Sequence, residues 1–106
     1  MSDPQAALAA FTLTGKVALV TGAAQGLGRS IAELFLDVGA SVVVADLNGD
    51  AAKAAAEDLS TRGPTLGVAM DVSDETAVQA GFAAAADRFG GIDVLVNNAA
   101  YRGKAN

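Results

Sequence analysis

The sequence predicts an α/β fold, a parallel sheet laid down in the order βαβαβαβ with helices on both faces. Three observations predict it. Short runs of β-branched and other apolar residues recur four times, segments with helical spacing of apolar residues lie between them, and glycine-containing turns separate the two kinds. Strands that alternate with helices of this length imply a parallel sheet built from crossover connections.

Val17 to Thr21 (VALVT) is the first strand, a buried run closed by the glycine-rich segment Gly22 to Gly28. A helix follows. Its apolar positions Leu27, Ile31, Leu34, Phe35 and Val38 are spaced for one face, and Gly39 stands where a glycine stops a helix. Ser41 to Asp46 (SVVVAD) is a second strand, continuous enough to be buried on both faces. Asn48 is placed to cap a second helix, in which Ala52, Ala55, Ala56 and Leu59 form a narrow apolar stripe up to the break at Arg62-Gly63-Pro64. The third strand spans Thr65 to Asp71. Ser73 or Asp74 caps the third helix, with Val78, Phe82, Ala85 and Phe89 on one face and Gly90-Gly91 at its end. Asp93 to Asn97 (DVLVN) is the fourth strand.

Parallel crossovers are right-handed, so each connection returns on a defined side of the sheet. If strands 2 and 3 step outward from strand 1 and strand 4 lies on its other side, the order is 3-2-1-4. The first two helices then cover one face and the third covers the other. A switch point opens between strands 1 and 4, the place where ligands of open α/β sheets bind, and Gly22 and Asn97 lie at those two strand ends.

Composition narrows the function. A formal net charge of -5 disfavours a phosphate-backbone partner, so no nucleic acid is expected. Without cysteine or histidine the chain has no thiolate nucleophile, no imidazole base and no common transition-metal site except a carboxylate one, and no metal residues are assigned. With 52% hydrophobic and 18% charged residues the chain has the apolar content of a folded domain. No run reaches the length of a membrane span and Met1 to Ala10 lacks a secretory pattern, so a cytoplasmic protein without membrane partners is the default expectation.

The segment Thr21-Gly22-Ala23-Ala24-Gln25-Gly26-Leu27-Gly28 follows a predicted strand and opens a predicted helix. Glycines there permit a tight turn and close backbone approach, and free amides with the helix dipole favour a pyrophosphate. The plainer reading is a turn that merely needs positive φ. Asp46 ends strand 2, eighteen residues after Gly28, where a carboxylate accepts hydrogen bonds from adenosine ribose hydroxyls and repels a 2′-phosphate. With Gln25 and Leu47 where arginine or lysine would favour NADP, NAD is the expected cofactor. Alternatively, Asp46 is a solvated strand-end acid or an N-cap.

The loop reads G-x-x-x-G-x-G. Together with Leu13-Thr14-Gly15-Lys16 before strand 1, Asp71-Val72 after strand 3 and Asn97-Asn98-Ala99 after strand 4, it resembles the short-chain dehydrogenase/reductase family over residues 11 to 99, the N-terminal cofactor-binding half with its Rossmann-type sheet. The resemblance implies that Gly22, Ala23, Ala24, Gln25, Gly26, Leu27 and the helix-opening Gly28 form the pyrophosphate and adenosine site, and that Asp46 and Leu47 meet the adenosine ribose. It implies that Asp71 contacts the adenine amine with Val72 beside the ring, that Asn98 and Ala99 line the middle of the cofactor, and that Asn97 ties neighbouring strands. Asp71 as a simple cap, and Asn97 and Asn98 as partners of strand-end backbone, are the structural alternatives.

The family pattern continues Asn-Asn-Ala-Gly, but Ala100 stands in the glycine place. Family members continue into segments that supply a serine, a Tyr-x-x-x-Lys pair and a further asparagine, with hydride moving between NAD(H) and an alcohol or carbonyl. Tyr101 and Lys104 are three apart and directly follow strand 4, so neither is assigned a catalytic role, and no catalytic residue is expected in these 106 residues. The expected organisation is a flexible arm over 1–12, a truncated dinucleotide-binding domain over 13–99 and a tail outside the family pattern over 100–106. The expected function is the NAD-binding portion of an oxidoreductase, inactive alone, with self-association through the exposed edge of strand 4. A stand-alone NAD-binding module and the product of an interrupted gene are the alternatives.

Overall fold

A computed structural model describes residues 12–99. Most of the expected N-terminal arm, the tail from Ala100, and Tyr101 and Lys104 lie outside the described residues.

The elements follow in the expected order. Strand β1 (Val17–Thr21) leads to helix α1 (Gly26–Asp37), β2 (Ser41–Asp46) to α2 (Gly49–Leu59), and β3 (Thr65–Ala69) to α3 (Glu75–Phe89), and β4 (Val94–Val96) closes the sheet. All pairings are parallel and the strand order is β3-β2-β1-β4. Val20 of β1 faces Val44 on one side and Val96 on the other, which fixes the register at the carboxyl ends.

Alternation along the central strands divides the core into two layers. Ala18, Val20, Val42 and Val44 point to the face covered by Ala32 and Leu36 of α1 and by Ala52, Ala55, Ala56 and Leu59 of α2. Val17, Leu19, Val43 and Ala45 point to the other face, where Ala85 of α3 packs with Val68 and Met70. Each fully buried valine or leucine contributes about 1.5–3 kcal/mol relative to an exposed one. The sheet is thus covered by α1 and α2 on one side and by α3 on the other, the arrangement that right-handed crossovers require.

Three details differ from the periodicity. In α1 the buried positions are Gly28, Ala32 and Leu36, while Leu27 and Leu34 are 70% and 57% exposed. The helix approaches the strands closely enough that small residues occupy the contact line, which turns the two leucines outward. Strands β3 and β4 are shorter than their apolar runs: Met70 still donates its amide to the Asp46 carbonyl at 2.8 Å, but the chain then turns at Asp71. In α3, Gly81 and Ala85 are buried and Phe82 is partly exposed.

Helix ends follow local chemistry. The Asn48 side chain accepts from the Ala51 amide at 3.0 Å and so caps α2. Asp74, not Ser73, caps α3, accepting from Thr76 at 3.0 Å and Ala77 at 3.4 Å. Gly90 ends α3 in the left-handed region at φ 90°, a conformation that costs residues with a Cβ. Among the described residues, no helix is long and apolar enough to cross a membrane.

Candidate dinucleotide site

Helix α1 begins differently from the other two. Its N-cap, Gln25, makes no side-chain hydrogen bond to the first turn, and that turn holds no acidic residue, whereas α2 and α3 are capped by Asn48 and Asp74 and carry Asp50 and Glu75 there. The first-turn amides of any helix lack intrahelical acceptors, and with the dipole they make the N-terminus attractive to an anion. This N-terminus lies at the carboxyl end of β1, beside the point where the strand order reverses between β1 and β4.

The glycines of the loop have different jobs. Gly26 sits at φ 62° and a Cβ there would meet nothing within 4 Å, so the turn is left-handed and open on its outer side. Gly28 is buried: a Cβ would run into the Gly22 carbonyl and come within 2.7 Å of the Asn98 Nδ2. Gly22, at φ 63°, lies close to Ala99 and Asn98 for the same reason. The structure therefore brings Gly22, Gly28, Asn98 and Ala99 into one packed junction, with Asn98 Nδ2 donating to the Gly22 carbonyl at 3.3 Å. Ala23 is fully buried, and its amide donates to the Ala45 carbonyl at 3.0 Å.

Asp46, half-buried at the end of β2, reaches the same loop. Its Oδ2 accepts from the Ala24 amide at 3.1 Å and its Oδ1 from the Asn48 amide at 3.1 Å. Next to it Leu47 is 72% exposed. Asp71, in the turn after β3, accepts from both the Ser73 hydroxyl at 2.6 Å and the Ser73 amide at 3.0 Å. The hydroxyl contact, then the amide contact, hold its carboxyl below the ordinary aspartate value, with desolvation acting weakly the other way. Val72 joins Thr21, Met70, Val78, Phe82, Leu95 and Asn97 around a recess of about 140 Å³ on the α3 side of the sheet.

One residue absent from the sequence-derived set holds the junction together. The buried Thr21 hydroxyl points across from β1 to the end of β4, within 3.2 Å of Asn97 Oδ1 and 3.4 Å of the Val96 carbonyl, and it accepts from the Ala99 amide at 2.9 Å. Asn97 is thus joined to β1 through its side chain. A hydroxyl residue at the last position of a strand, directly before the glycine loop, is the signal that marks it in the sequence. Farther from the loop, Asp93 ties the opposite end of the same strand pair, its Oδ2 accepting from the Val17 amide at 2.8 Å.

An uncapped helix start, a left-handed glycine open to solvent and a carboxylate on the neighbouring strand end fit the pyrophosphate and ribose of a dinucleotide.

Comparison with known proteins agrees with this geometry. A family model described as short chain dehydrogenase matches residues 16–106. The chain is similar to D-threitol dehydrogenase of Mycolicibacterium smegmatis, 50% identical over 90 residues that make up 84% of this chain and 35% of the relative. It is 43% identical over 97 residues to human 15-hydroxyprostaglandin dehydrogenase [NAD(+)], covering 89% of this chain and 36% of that protein. Among solved structures, hydroxysteroid dehydrogenase from Escherichia coli superposes with a TM-score of 0.77 at 38% identity, over 81% of this chain and 36% of that one. The chain therefore spans about a third of the length of each of these three proteins.

Proposed function

The chain belongs to the short chain dehydrogenase family, and on that footing we propose that it binds NAD(H) through the adenosine half of the cofactor. The observation that carries this reading is the pairing of the uncapped α1 N-terminus with Asp46 across the loop, an anion site and a hydroxyl acceptor on adjacent strand ends. Gly22, Ala23, Ala24, Gln25, Gly26, Leu27 and Gly28 surround the pyrophosphate and adenosine in this reading, Asp46 and Leu47 meet the ribose, and Asp71 and Val72 meet the adenine. Asn98 and Ala99 line the middle of the cofactor. Asp71 Oδ1 is occupied by Ser73, and its other oxygen remains to accept from an adenine amine.

NAD is preferred over NADP because the Asp46 carboxylate repels a 2′-phosphate and neither Gln25 nor Leu47 offers a cation to receive one. The NAD(+) in the name of the human relative supports the same preference. When bound, the cofactor supplies hydride transfer to or from an alcohol or carbonyl, the reaction we propose for the complete family member. The 106-residue sequence holds one tyrosine and no Tyr-x-x-x-Lys, so the chain alone is expected to bind without turnover.

Calorimetric titration of the purified chain with NADH tests the binding. Saturable heat is the expected result, and no heat at high protein concentration would overturn the proposal. Measurable alcohol oxidation by the same sample would contradict the expected inactivity.

A further inference from the structure

Two consecutive loop amides turn toward β2. Ala23 donates to the Ala45 carbonyl at 3.0 Å, continuing the strand pairing, but the next donor has no strand carbonyl to meet and goes instead to a side chain, Ala24 to Asp46 Oδ2 at 3.1 Å. The other Asp46 oxygen takes the Asn48 amide at 3.1 Å, and Asn48 in turn caps α2 through Ala51. One carboxylate therefore joins the start of the β1–α1 loop to the turn that begins α2. Directly after Ala24 the chain reverses through Gln25 and Gly26, at φ 62°, and the first-turn amides of α1 follow. Where Ala24 is held decides where those amides point.

We propose that Asp46 is a positioning residue for the phosphate loop, a latch that sets the geometry of the α1 N-terminus before any ligand arrives, in addition to its proposed contact with ribose. This inference rests on the dinucleotide reading of the site. The latch and the ribose contact are compatible, because each carboxylate oxygen has two lone pairs and spends one on a backbone amide. A loop held in its binding geometry also binds more tightly, since apparent affinity scales with the populated fraction of the competent form.

The consequence is separable from ribose recognition. If Asp46 acts only on the hydroxyls, its removal weakens ADP and leaves 2′,3′-dideoxy-ADP unaffected. As a latch it weakens both.

The experiment combines amide hydrogen exchange of the ligand-free chain with calorimetric titration of ADP and 2′,3′-dideoxy-ADP, for wild type, Asp46→Ala and Asp46→Asn. The expected result is faster exchange at Ala24 in Asp46→Ala, about tenfold weaker binding of dideoxy-ADP by that variant, and only partial recovery of both in Asp46→Asn, whose one side-chain oxygen serves a single backbone amide where the carboxylate serves two. Equal Ala24 exchange in wild type and Asp46→Ala, or dideoxy-ADP bound equally by the two, would overturn the latch. If Asp46→Ala does not fold, Asp46→Leu, of similar shape and without an acceptor, carries the test: faster Ala24 exchange and weaker dideoxy-ADP binding than wild type support the latch, and either one unchanged overturns it. Wild type that binds neither nucleotide would overturn the dinucleotide reading instead, while the exchange measurement would still decide the latch.

Discussion

The Ala99 amide donates to the Thr21 hydroxyl at 2.9 Å, so the segment that follows β4 is fastened to the residue that precedes the glycine loop. The two sides of the switch point are held together there by side-chain chemistry after the strand pairing has ended at Val20 and Val96. Thr21→Val keeps the shape and removes the hydroxyl, leaving the Ala99 donor unpaired in a half-buried place. The expected loss of stability is about 1–3 kcal/mol, measured by urea unfolding, with Thr21→Ser close to wild type. An unaltered midpoint in Thr21→Val would show that the contact carries no weight.

Gly28 and Gly26 should fail in different ways. A Cβ on Gly28 meets the Gly22 carbonyl and Asn98, so Gly28→Ala is expected to cost about 1–3 kcal/mol by overpacking. Gly26→Ala meets no neighbour within 4 Å and suffers only the left-handed backbone penalty of about 1–2 kcal/mol, yet its methyl projects into the open side proposed to receive the pyrophosphate. Denaturation and ADP titration on both variants separate the effects. A folded Gly26→Ala chain that binds ADP as wild type does would remove the loop from the site.

The Asp71 carboxyl is held low by Ser73, hydroxyl first and amide second. A group whose folded pKa lies below its unfolded value contributes stability that is present above the unfolded pKa and is lost as pH falls through the folded one. Ser73→Ala removes the stronger donor, so the Asp71 titration followed by carboxyl NMR should move up toward the ordinary aspartate value, and this contribution should become smaller and be fully lost at a higher pH than in wild type. An Asp71 titration that stays in place would mean that the hydroxyl contact does not set it.

Leu95 is 53% exposed on β4, which pairs only with β1 among the described residues. A free apolar strand edge recruits further strands. Sedimentation velocity is expected to show self-association that rises with concentration and is reduced in Leu95→Lys. A single monomeric species at high concentration would contradict this.

Strand order and helix placement were legible in the sequence because the four apolar runs, the helical spacings and the handedness rule constrain one another. The cap at Asn48 was equally legible, since its chemistry is local. What escaped depends on close approach in three dimensions. Leu27 and Leu34 look like core residues by spacing, but the contact line of α1 is set by how near Gly28 and Ala32 let the helix come to the strands. Asp46 could be placed at a strand end from the sequence, whereas its hold on Ala24 requires knowing that the loop folds back over β2. Thr21 reads as the last residue of a strand until Ala99 and Asn97 are seen across from it.

The loop and Asp46 together are proposed to form an NAD site, and calorimetric titration of the chain with NAD and, separately, NADP decides whether they do. Saturable NAD binding is expected, at least about tenfold tighter than NADP, the weight of one charge–charge contact with a 2′-phosphate. NADP bound as tightly as NAD, or no heat from either, would contradict it.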